Sequence, residues 1–148
     1  MLFRNEGSAV ALPEAALQLR EDMETVMVRL DRAETGSITQ QLMQDILESL
    51  EEILGAIERS QEQQKQRQRA GGQGQGGKVE SSLVDMLAEL KMIRSLQWRV
   101  NRRTAMYQEI VLAGRSSANH LLPELRKLSA RQARIEKIAR DIVLENNR

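Results

Sequence analysis

The chain has 148 residues, 41% hydrophobic and 29% charged, with a formal net charge of +1 and no cysteine. That length fits one ordinary domain, the composition is neither membrane-like nor apolar-poor enough for disorder throughout, and disulfides and thiolate metal sites are excluded. One Phe, one Tyr and one Trp suit a ribbon of Leu, Ile and Met between helices better than a compact aromatic core.

The near-neutral total conceals an asymmetry. Residues 1–59 hold 12 acids against 5 bases, and residues 60–148 hold 9 against 17. Arms of opposite sign suit antiparallel pairing within a chain, or head-to-tail pairing between chains. No apolar run reaches the ~20 residues of a membrane-spanning helix. Nor does the N-terminus carry the apolar segment of a signal peptide. As written, the chain reads as soluble.

Residues 1–12 lack any period and read as a flexible tail. An acidic helical arm follows over 13–69. Pro13 suits a first helical turn and Glu14 the positive end of the helix dipole. Ala16, Leu19, Met23, Val26, Leu30 and Ala33 then recur every three or four residues. Gly36 interrupts them, and Ser37 with Gln40 forms a candidate capping box that restarts a helix. A break is expected near 35–37, as a kink or a fold-back. Beyond it, Leu42, Met43, Ile46, Leu47, Leu50, Ile53, Leu54 and Ile57 make a stripe wider than a two-helix seam. The run SQEQQKQRQR is polar on every face but has good helix propensity. Residues 70–80, with GGQGQGG inside them, read as a flexible linker.

A basic helical arm is expected over 81–148. Ser81 or Ser82 can cap its start. Leu83, Met86, Leu90, Ile93, Gln97, Val100, Thr104, Tyr107 and Val111 then alternate in steps of three and four, the heptad rhythm of a helix packed along other helices. Gly114 is a natural stop, and a break near 114–120 precedes a last helix starting around Asn119 to Pro123. That helix carries Leu125, Leu128, Ile135, Ala139 and Ile142.

Antiparallel coiled coils set a positions opposite d positions. That rule pairs Met43 with Tyr107, Ile46 with Thr104, Leu50 with Val100, Ile53 with Gln97 and Ile57 with Ile93. The outer segments pair Met23 with Leu128 and Ala16 with Ile135. The expected fold is therefore all-α: an antiparallel coiled-coil helical hairpin with a kink in each arm, a four-helix up-down bundle being the alternative.

The positions flanking this seam carry the functional reading. Leu42, Leu47, Leu54, Leu87, Leu96 and Ile110 stay wet in a lone hairpin, and Trp98 points outward. Together they suggest an interaction or scaffolding module that self-associates or docks a helical partner. The alternative uses Lys91, Arg94, Arg99, Arg102 and Arg103, a run of bases with no acid among them, as an anion or nucleic-acid surface. Gln97 and Thr104, polar at seam positions, are expected to set register. His120, the one histidine, reads as a cap or an exposed residue. No phosphate-binding glycine loop, nucleophile motif or paired carboxylates stand out, so neither an enzyme nor a cofactor or metal site is expected.

The stretches ETGSITQQLMQDILESLEEILGAIE (34–58) and SLVDMLAELKMIRSLQWRVNRRT (82–104), joined by a low-complexity linker, resemble the C-terminal helical region of uncharacterised, predicted-exported bacterial proteins. The resemblance implies an extracytoplasmic or envelope setting, and with it an export signal ahead of this sequence. It implies no functional residues.

Overall fold

The computed structural model describes residues 10–69 and 76–146. Within them lie four helices, α1 (Ala11–Asp31), α2 (Ser37–Arg69), α3 (Gly76–Leu112) and α4 (Ala118–Asn146), and no strand. The fold is all-α, as the periodicity indicates. The chain divides into two compact units, Met1–Met92 and Ile93–Arg148. The first holds α1, α2 and the start of α3; the second holds residues 93–112 of α3 and all of α4. Most of the expected tail and about half of the expected linker lie outside the described residues. α3 begins at Gly76, ahead of the serine caps at 81 and 82.

In the first unit α1 packs against α2 across a link of residues 32–36. A link that short between packed helices reverses the chain, so α1 and α2 form an antiparallel αα-hairpin. The kink expected here is thus a fold-back. Its cause lies upstream of Gly36. α1 ends at Asp31, and Ala33 adopts the left-handed conformation (φ 55). The Ala33 amide donates to Leu30 (2.9 Å) and the Glu34 amide to Arg29 (2.8 Å). This is a Schellman closure, which satisfies the last carbonyls of α1 and turns the chain off its axis. Thr39, almost fully buried, locks the turn: its hydroxyl accepts from Arg29 Nε (2.8 Å) and donates to the Glu34 carbonyl. Arg29 also pairs with Glu34 at 3.0 Å. The capping box does not form. Ser37 is already helical, and Gln40 Nε2 reaches the Thr35 carbonyl instead.

The start of α1 is held by α3. Glu89 Oε2 accepts from the amides of Val10 (3.0 Å) and Ala11 (2.8 Å). Pro13, in the first turn, has no amide to satisfy. Two of the orphan donors at this terminus are therefore taken by one carboxylate from a distant helix, with no local side-chain cap.

The second unit repeats the hairpin. Gly114 is left-handed (φ 64). Its amide donates to Val111 and that of Arg115 to Ile110, both at 3.0 Å. This is the same Schellman closure, here at the glycine the sequence marks. Ser117 caps α4, its hydroxyl accepting from the His120 amide at 3.3 Å. The last helix thus starts at Ala118, and Pro123 lies inside it rather than at its first position. α3 and α4 are tied by a reciprocal amide pair: Gln97 Nε2 donates to Gln132 Oε1 (2.7 Å) and Gln132 Nε2 to Gln97 Oε1 (2.9 Å). Gln97 therefore bonds to α4. Thr104 is exposed and donates to its own helix at Val100 (2.8 Å) rather than across a seam. The second expected kink is again a turn.

Burial separates the two units. In 93–146 the apolar rhythm and the buried face coincide at Ile93, Val100, Tyr107, Leu128 and Ile135, joined by Leu96, Ile110, Leu121 and Ile138. Arg99, Arg103 and Arg131 are buried there too, and each engages in a further interaction. In the first unit the two faces part company. α1 buries Ala11, Glu14, Ala15, Gln18, Asp22 and Val26, whereas Met23 and Leu30 of its apolar stripe are exposed. α2 buries Thr39, Leu42, Asp45 and Ser49. Those polar groups are satisfied in part locally: Gln18 Nε2 donates to Glu14 (2.8 Å), Gln41 Nε2 to the Asp45 carboxylate (3.0 Å) and Ser49 Oγ to the Asp45 carbonyl (2.7 Å). Glu14, Gln18, Asp22 and Asp45 all engage in further interactions.

Candidate interaction surface

With Thr39, Leu42, Asp45 and Ser49 turned inward, five large apolar residues of α2 are left at the surface. Met43, Leu47, Leu50, Leu54 and Ile57 recur in steps of four and three, and each keeps 42–57% of its surface in water. That rhythm brings all of them to one stripe along the helix, with the a/d spacing that packs against a second helix. The stripe runs ~21 Å at ~1.5 Å per residue. It is bounded by Gln40 and Gln61, the polar residues at the next positions of the rhythm. One flank consists of the half-buried Ile46 and Ile53; the other carries Gln44, Glu51 and Glu58, all exposed.

Similar stripes lie nearby in the same unit. On α3, Leu83, Leu87 and Leu90 follow the same spacing at 44–56% exposure, with Val84 beside them. On α1, Met23, Met27 and Leu30 do likewise. Exposed apolar residues scattered singly need no explanation, but rows of them at coiled-coil spacing mark contact surfaces. Completing the burial of a half-exposed Leu or Met contributes on the order of 1 kcal/mol.

The residues singled out from the sequence divide accordingly. Leu47, Leu54, Leu87 and Trp98 are exposed as expected. Leu42, Leu96 and Ile110 are not: all three are buried, Leu42 in the first unit and Leu96 and Ile110 in the second. The stripe residues Met43, Leu50, Ile57, Leu83 and Leu90, assigned to an inner seam, are instead at the surface. Their heptad spacing was legible. Which side of the helix faced inward was not.

The basic run is split as well. Lys91 and Arg94 are exposed, Arg102 is half-buried, and Arg99 and Arg103 are buried. These five bases therefore do not form one solvated surface. Arg102 lies over Trp98, its guanidinium carbon 4.1 Å from the ring centroid, a cation–π contact that occupies one face of the indole. His120 is exposed in the first turn of α4, its amide held by Ser117. Among the described residues no group of three or more His, Asp or Glu side chains is placed to hold a metal ion. No described helix is long and apolar enough to cross a membrane. Compared with known proteins, the chain matches no family model, no curated protein and no solved structure.

Proposed function

We propose that this protein is a non-enzymatic helical interaction module whose α2 stripe docks against another helix in coiled-coil fashion. One observation carries the reading: Met43, Leu47, Leu50, Leu54 and Ile57 hold heptad spacing yet remain half-exposed, while the face of α2 turned inward carries Thr39, Leu42, Asp45 and Ser49. A helix whose apolar side faces water while Asp45 and Ser49 are buried is arranged for a cover that the single chain does not supply. The anion-binding alternative is weaker, since burial of Arg99 and Arg103 leaves few free bases to neutralise phosphates. The envelope setting rests on the family resemblance alone.

Light scattering of the purified chain tests the proposal. The expected mass at micromolar concentration is a multiple of 16.8 kDa, falling to 16.8 kDa in the Leu50→Glu, Leu54→Glu variant with helix content unchanged. A chain that is monomeric at every concentration, with or without those substitutions, would overturn it.

A further inference from the structure

We infer that the occupant of the α2 stripe is a second copy of this chain, and that α2 meets there the Leu83, Leu87 and Leu90 stripe of α3, antiparallel and reciprocally. The inference rests on the docking role proposed above for α2 and adds to it the partner, the segment and the direction.

Both stripes lie in the first unit, share the four–three rhythm and are about half exposed. Their flanks decide how they pair. α2 has an apolar flank (Ile46, Ile53) and an acidic one (Gln44, Glu51, Glu58). α3 has an apolar flank at the half-buried Met86 and one bearing Val84 and the exposed Lys91. In an antiparallel pair, like flanks come together: each e position faces an e position and each g a g. Antiparallel α2 on α3 therefore sets apolar against apolar on one flank and Glu51 towards Lys91 on the other, with Glu58 falling towards Val84. Antiparallel α2 on α2 brings Glu51 and Glu58 against their own copies. Parallel α2 on α2 sets those carboxylates against isoleucines. Only the first arrangement opposes unlike charges.

Reciprocity supplies the area. One three-leucine stripe on α2 is a short contact, but each copy offers both stripes, so a two-fold axis makes the contact twice and closes the assembly. Eight large apolar side chains per copy, each about half exposed, present several hundred Å², on the order of the ~800 Å² per partner of a stable interface. Met43 and Ile57 fall towards the rim.

The chain has no cysteine, so engineered thiols report the pairing cleanly. Leu50→Cys and Leu87→Cys are placed in separately tagged full-length chains, mixed at micromolar concentration and oxidised with copper–phenanthroline. A covalent heterodimer linking positions 50 and 87 is expected, since a disulfide requires Cβ atoms within about 4.5 Å. Glu51→Lys should weaken association about threefold, and adding Lys91→Glu to the same chain should recover most of that loss. Preferential 50-to-50 crosslinks in a chain that still dimerises overturn the α2–α3 pairing and leave the docking role of α2 standing. A monomer that yields no crosslink in any mixture overturns both.

Discussion

Ala33 holds a left-handed backbone that costs an L-residue with a Cβ about 1 kcal/mol or more, in a Schellman closure that elsewhere in the chain uses Gly114. Replacing Ala33 with Gly should raise the thermal midpoint by about 2–4 °C. Gly114→Ala should lower it by a similar amount. No atom lies within 4 Å of a Cβ added at Gly114, so backbone strain is the whole effect, and circular dichroism melts measure both variants. Thr39 is the second residue on which a turn depends. It is 1% exposed and joins Arg29 to the Glu34 carbonyl. Thr39→Val should cost about 1–3 kcal/mol, because it leaves buried polar partners unmet; Thr39→Ser, which keeps the hydroxyl, should cost less than half of that in urea titration. Neither feature was legible beforehand. Ala33 carries no residue-type signal for a left-handed position, and the residue that marks a helix end in the sequence is Gly36, which the turn uses only as its last link.

At the scale of elements, the apolar rhythm placed four helices and their order correctly, since periodicity depends on local geometry that every helix shares. It misplaced several ends by a few residues, most clearly where the cap comes from elsewhere in the chain. α1 starts at Ala11 because Glu89, far away in sequence, takes two of its terminal amides. Glu89→Ala should destabilise the chain by about 1–2 kcal/mol. Hydrogen exchange should speed up first at Val10 and Ala11, and unchanged protection there would remove Glu89 from this role. The Gln97–Gln132 pair teaches the same lesson about register. The sequence pairs Gln97 with Ile53 as a register-setting residue; it bonds instead to Gln132 on α4, the helix that follows the turn at Gly114.

For the whole molecule, the opposite charges of the two arms and the coiled-coil spacing of α2 together suggest association that is mainly apolar and only trimmed by charge. Raising salt from low concentration to about 0.5 M, where the Debye length is near 4 Å, should therefore weaken self-association by no more than about tenfold. Sedimentation across a salt series measures this. A collapse to monomer in moderate salt would show that charge, not the leucine stripes, holds the assembly. Residue composition and spacing by themselves determined that the fold is all-α, that it has a joint near residue 114 and that its helices carry apolar residues at heptad spacing, because each of these follows from contacts within a turn or two. Only the tertiary structure decided that the breaks are reversals, that Leu42, Leu96 and Ile110 are interior, and that the α2 stripe faces out. A stripe has the same spacing whichever way it points, and its direction is set by what else the folded chain brings to that helix.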